Sequence, residues 1–179
     1  MDDLRELALL LKQRNAVEAS ISRLTRRPAL TGHLGEFIAS RVFEIDLASS
    51  ANSRAMDGRF RSGSLEGRTV NIKCYPKLES LDMREDALPD YFLVLTGPRN
   101  KATTSQGSVR PFVIDSVYLF ATDSLCGELR ARAVKIQTST SLLRSQWDAA
   151  ELYPTTRCSF YRISDAQRAM LALFGSSVA

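Results

Sequence analysis

Apolar residues along the chain change period several times, and each change marks an element. Leu4, Leu7, Leu11, Ile21 and Leu24 fall near one helical stripe, with Arg and Lys opposite. Asp2 or Asp3 can cap this first helix, which runs to about Thr25. Arg26-Arg27-Pro28 ends it, because a residue before proline avoids the helical region. A stripe of this kind implies packing or a homodimer contact. Thr31 opens a second helix with Leu34, Phe37, Ile38, Val42 and Phe43 as its buried stripe and Glu36 beside it. Residues 43–47 alternate enough for a short strand, and 49–53 read as loop.

Next come two short runs, residues 54–60 and 69–75, joined by the Gly/Ser-rich segment 62–67. They read as a β-hairpin. In the second run, Val70, Ile72 and Cys74 share one face, and Thr69, Asn71 and Lys73 share the other. Residues 78–86 predict a short helix before Pro89. Residues 91–95 predict a buried strand ended by Gly97-Pro98, and 99–110 a polar loop. Residues 112–121 predict a long strand with Asp115 in its middle, where a buried carboxylate requires a partner such as arginine. Thr122 or Asp123 caps a helix to about Val134. Ser139 or Ser141 opens another, through Trp147 to about Glu151, and Pro154 stops it. Residues 158–163 read as a last edge strand. Asp165 caps a terminal helix with Ala169, Met170, Leu173 and Phe174 inside. The fold class is therefore α/β, a central mixed sheet flanked by helices in one domain over residues 1–179. Its core spans about 31–121, with an N-terminal helix in 1–27 and a helical C-terminal extension over 122–179.

Composition narrows the function classes. A chain of 179 residues, 44% hydrophobic and 25% charged, is ordinary for one globular domain. The net charge of +4 permits an anionic partner without demanding one. No apolar run approaches the ~20 residues of a membrane span, and the acidic start is unlike a signal peptide. Cys74, Cys126 and Cys158 are odd in number and widely spaced, which fits a reducing cytoplasm better than a disulfide framework or zinc site. No G-x-G-x-x-G, P-loop or G-x-S-x-G pattern is present. His33, the single histidine, has no third member for a triad.

What remains is the polar face of the hairpin, where Asn71 and Lys73 stand one strand away from Asp57. Each has an ordinary alternative: Asp57 before Gly58 can shape a turn or bulge, Lys73 can guard a strand surface, and Glu36 can be a solvated helix residue. Together the spacing resembles the Asp…(Asp/Glu)-x-Lys signature of the restriction-endonuclease-like, or PD-(D/E)xK, nucleases, with Asn71 standing where that superfamily has an acid. The resemblance covers roughly residues 31–121, about half the chain. Gly32-His33-Leu34-Gly35-Glu36 also looks like the superfamily's first core helix. The stretches 135–141 and 146–154 resemble an uncharacterised prokaryotic family assigned to the same fold.

The resemblance implies a catalytic set of Glu36, Asp57, Asn71 and Lys73 converging in one polar cleft. Asp57, Asn71 and Glu36 would hold Mg²⁺ or Mn²⁺, and Lys73 would orient water and steady charge on phosphate. Glu66, in the turn, is a second possibility for the missing acid. Arg54, Arg59, Arg61, Arg68 and Lys77 cluster around this region and fit phosphate contact, with DNA as the nucleic acid. Two classes stay open: a metal-dependent nuclease with a variant site, or a domain of the same fold that lacks catalysis and binds nucleic acid or a protein.

Overall fold

A mixed six-stranded sheet divides the molecule into two apolar cores. The computed structural model describes residues 2–48, 56–76, 80–98 and 111–176. Among them are five α-helices: α1 (Asp2–Thr25), α2 (Thr31–Val42), α3 (Thr122–Ala131), α4 (Arg144–Ala150) and α5 (Asp165–Ala172). The strands are β1 (Ile45–Leu47), β2 (Gly58–Phe60), β3 (Thr69–Tyr75), β4 (Ser80–Leu81), β5 (Tyr91–Thr96), β6 (Ser116–Ala121), β7 (Thr140–Ser141) and β8 (Glu151–Tyr153). The large sheet has the order β1-β2-β3-β5-β6-β8, and β4 pairs with β7 in a small second sheet. Only β3 and β5 run parallel, with Val70 opposite Tyr91 and Tyr75 opposite Thr96; the other pairings are antiparallel.

Alternation explains the two cores. Val70 and Ile72 of β3, Leu93 and Leu95 of β5, and Val117 and Leu119 of β6 meet α2 and α5 on one face. Phe92, Val94, Tyr118 and Phe120 point the other way, toward α3 and α4. Trp147 of α4 stands edge-on to Tyr118 and Phe120, with ring centroids 5.1 and 5.0 Å away. Helices cover both faces, so β5 and β6 are buried runs without polar alternation. The parallel step is pinned at its start. The Asp90 carboxylate accepts from the Thr69 N–H (2.7 Å) and hydroxyl (2.6 Å), and the Asp90 N–H donates back to the Thr69 Oγ1 (2.7 Å).

Several expectations are corrected. Residues 80–81 form β4 rather than part of a helix over 78–86, because Leu81 and Met83 are buried two positions apart against the second core. β6 begins only at Ser116. Before it, the Ile114 N–H donates to the Phe174 carbonyl (2.7 Å) and the Asp115 N–H to the Thr96 carbonyl (2.9 Å). The Asp115 carboxylate accepts from the N–H (2.8 Å) and hydroxyl (2.7 Å) of Ser176. Thr31 and Thr122 are first helical residues; the N-cap positions are Leu30 and Ala121, without side-chain cap bonds. Helix α3 ends at Ala131, not near Val134. Helix α4 starts only at Arg144, since Ser139 has a positive φ of 61° and Thr140–Ser141 is β7. The last strand is β8, not residues 158–163. The N–H groups of Arg157 and Cys158 both donate to the Glu151 carbonyl, which folds this segment back over the strand. Ser164 caps α5, and Leu171 is its buried residue, while Ala169 and Leu173 are exposed. In α2 the buried residues are Gly35, Ile38, Ala39 and Val42, with Leu34 and Phe37 half-buried. The predicted loops over 49–53 and 99–110 lie outside the described residues. Among the described residues, no helix is long and apolar enough to cross a membrane.

Candidate functional site

The close approach of α2 to β3 starts from a missing side chain. A Cβ on Gly35 would lie 2.6 Å from the Cys74 Cβ and 3.2 Å from its Sγ, so only glycine permits this contact. The neighbouring Glu36 is thereby brought to the sheet, half-buried, and its carboxylate is ion-paired with Arg27 of the segment between α1 and α2. Burial raises the Glu36 pKa above the usual carboxylate value. The Asp57 charge raises it further, while Arg27 and His33 pull it back. Glu36 and Asp57 are therefore near enough to repel.

Asp57 stands at the start of β2, fixed by its backbone on both sides. Its N–H donates to the Val70 carbonyl (2.9 Å), and its carbonyl accepts from the Ala48 N–H (2.8 Å). Its carboxylate reaches along β3 and accepts from the Ile72 N–H at 2.6 Å, taking the place of a ladder bond where β2 leaves β3. Gly58 serves packing here rather than a turn: a Cβ would lie 2.5 Å from the Asp46 carbonyl of β1. The turn-or-bulge reading of Asp57-Gly58 is thus replaced by a strand start. Burial raises the Asp57 pKa, and the Ile72 N–H, Lys73 and Arg27 oppose it.

Asn71 and Lys73 lie on β3 next to these groups. The Gly58–Val70 pairing continues to Asp57 opposite Asn71, which is buried at 8% exposure. Lys73 is half-buried and enters no ion pair among the described residues. Alternation turns Asn71 and Lys73 away from the α2 face. The charges that act on one another, Arg27, Glu36, Asp57 and Lys73, therefore gather where β2 leaves β3. The turn acid Glu66 is exposed and does not figure among the charges acting on Asp57.

Of the predicted phosphate-contact residues, Arg54 and Lys77 lie outside the described residues. Arg59 is exposed and donates to the Gly67 carbonyl (2.9 Å). Arg61 lies 3.6 Å from Asp46 and Arg68 3.3 Å from Asp90, so both carry carboxylate neighbours that the sequence did not reveal. Surface pairs of this kind are weak. Arg27 is the contributor that sequence reasoning missed; it read only as part of a helix stop. The three cysteines are free, and burial pushes the Cys74 thiol up to about 11, which keeps it protonated and unreactive near neutral pH.

Chemically, the arrangement offers two partly buried acids, a neutral amide on the adjoining strand position and a lysine beyond. Among the described residues no three His, Cys, Asp or Glu side chains are grouped to hold a metal ion, so any metal would rest on the two acids and on groups of other kinds. No family model matches the chain, and no curated protein matches it either.

Proposed function

We propose that Glu36, Asp57, Asn71 and Lys73 form the centre of a PD-(D/E)xK-type nuclease domain that hydrolyses phosphodiester bonds of nucleic acid with Mg²⁺ or Mn²⁺. The observation that carries this reading is the acid pair. The Asp57 charge acts on Glu36, burial disfavours both charges, and Lys73 acts on Asp57. Burial-perturbed carboxylates gathered beside a lysine are the kind of arrangement that functional sites use. The order of helix, three antiparallel strands and a strand parallel to the third supports the restriction-endonuclease-like core.

The donor set fits a hard dication. Mg²⁺ is commonly held by one or two carboxylates, with waters and substrate phosphates completing its shell. Asp57 and Glu36 would supply the two carboxylates, and Asn71 an amide oxygen. Such an ion supplies an acidified water and neutralises charge on the phosphate oxygens. Lys73 orients the attacking water and steadies the negative charge that builds on phosphate. Arg27 holds Glu36 in place, and a bound ion would compete with it for the carboxylate. Arg59 and Arg61, with Arg54 and Lys77, bind the backbone of a DNA substrate. Three free thiols suit a reducing cytoplasm.

A second reading has its own observation. Arg27 already pairs with Glu36, and Asn71 stands where an acid would, which together favour a domain that binds nucleic acid without cutting it. The test is cleavage of single- and double-stranded DNA and RNA with Mg²⁺ or Mn²⁺ by the wild type, Asn71→Glu and Asp57→Ala, with metal binding followed by calorimetry. The nuclease reading expects Mn²⁺-dependent nicking, faster and with tighter metal binding in Asn71→Glu, and both lost in Asp57→Ala. Retained binding without cleavage by wild type or Asn71→Glu selects the second reading. Cleavage that survives Asp57→Ala places the centre elsewhere.

A further inference from the structure

Helix α1 has none of its 24 residues buried, although it carries more leucine than any other helix described here. Leu4, Leu7, Leu10, Leu11, Val17 and Leu24 are between 44% and 73% exposed. At 3.6 residues per turn these six, with the half-buried Ile21, fall within an arc of about 160°. Leu9, also exposed, lies roughly opposite that arc.

The charges on α1 indicate what covers this stripe. Residues 2–25 hold four acids (Asp2, Asp3, Glu6, Glu18) and four bases (Arg5, Lys12, Arg14, Arg23), so the helix is neutral. An anionic membrane or a phosphate backbone would call for an excess of Lys and Arg on the polar face. Instead, three of the acids lie in the first five helical residues, while Arg23 and the following Arg26 lie at the other end. That polarity complements itself when reversed. An antiparallel copy sets each acidic end beside a basic one and opposes the helix dipoles. The apolar positions agree with the same reversal. With Arg14 at the centre, Leu4 comes opposite Leu24 of the second copy, Leu7 opposite Ile21 and Leu11 opposite Val17. Arg14 itself is charge-balanced by its own Glu18, 2.7 Å away.

We propose that α1 is a self-association helix, two copies of which pair antiparallel about a two-fold axis near Arg14 to make a dimer. The interface is isologous and closes at two subunits. Sedimentation of the full chain should give twice 19.9 kDa. Leu7→Lys combined with Leu11→Lys should return the monomer mass with unchanged near-UV circular dichroism, and Leu9→Lys should leave the dimer intact. For orientation, a Leu4→Cys/Leu24→Cys double variant should form a covalent dimer on mild oxidation. Neither single variant should do so, because like ends of an antiparallel pair lie about 30 Å apart. A monomeric wild type, a dimer that survives both lysines, or cross-linking of either single variant would overturn the proposal. Co-sedimentation with phosphatidylserine vesicles that the two lysine substitutions abolish would overturn it as well, in favour of a membrane contact.

Discussion

Replacing Gly35 by alanine tests whether the candidate site is assembled as described. The added Cβ would lie 2.6 Å from the Cys74 Cβ and 3.2 Å from its Sγ. Two carbons need about 3.5 Å, so α2 must withdraw from β3 by about 1 Å. Forcing a methyl into a packed contact costs about 1–3 kcal/mol. Alanine's better helix propensity returns about 1 kcal/mol, leaving a net loss of about 0–2 kcal/mol. Gly32, in the same helix, and Gly127, in α3, are the controls: a Cβ at either meets nothing within 4 Å. Each should gain up to about 1 kcal/mol on becoming alanine. Urea unfolding followed through Trp147, the single tryptophan and buried in the opposite core, measures all three. On the proposed nuclease centre the consequence should exceed the stability change. Glu36 moves with the helix, and a displacement of about 1 Å at a reacting centre can cost about 10²-fold in rate. If Gly35→Ala matches Gly32→Ala in stability, α2 does not press on β3 here, and the placement of Glu36 beside Asp57 fails with it.

Two further substitutions separate carboxylates of opposite character. Asp57→Asn keeps an acceptor for the Ile72 N–H but removes a charge that burial disfavours, so it should be more stable than wild type at pH 7. A raised folded pKa costs stability only above the ordinary aspartate value, so this advantage should vanish as the pH falls below about 4; an advantage independent of pH would refute the burial argument. Asp90→Ala should instead lose about 1–2 kcal/mol at pH 7, because the Thr69 N–H and hydroxyl lose their acceptor. The hydrogen bonds from Thr69 hold the Asp90 pKa down, so wild type should lose this contribution as the pH falls through the carboxylate range, and a flat denaturation profile there would contradict it.

What the sequence disclosed follows from where burial imposes a period. The alternation of Val70, Ile72 and Cys74 against Asn71 and Lys73, and the apolar run of β5, are legible because each face meets a helix layer. The hairpin turn is legible from its two glycines, both of which adopt positive φ: Gly63 at 77° and Gly67 at 76°. Residues 80–84 defeat such reading. Leu81 and Met83 do alternate, but their pairing strand is β7, about 60 residues later, and no local pattern announces it. Residues 158–163 have strand composition, yet β8 already occupies the edge of β6. At the site, the types and spacing of Asp57, Asn71 and Lys73 are visible in one dimension. The ion pair between Arg27 and Glu36 is not, since it joins a linker to a helix across nine positions without any periodic signal.

The contrast between Asp90 and Asp57 bears on which part of the molecule selection for folding explains. Asp90 joins the starts of β3 and β5, accepts two hydrogen bonds from Thr69, and has its charge favoured by them. That is a carboxylate serving the fold. Asp57 accepts one backbone N–H, and burial outweighs it; Glu36 bears burial together with the Asp57 charge, and Arg27 does not fully relieve it. Replacing Asp57 by asparagine would keep an acceptor for the Ile72 N–H and remove a charge that burial disfavours, so folding alone would favour the amide there, whereas at Glu36 it would break the pair with Arg27. An amide does stand one strand over, at Asn71, and the same economy was available at Asp57. Asp57 lies where β2 leaves β3, and Gly35 gives up helix propensity to let α2 bring Glu36 toward it. An acid kept at Asp57 against burial, next to Glu36 and Lys73, is the pattern expected of a site that serves chemistry rather than folding.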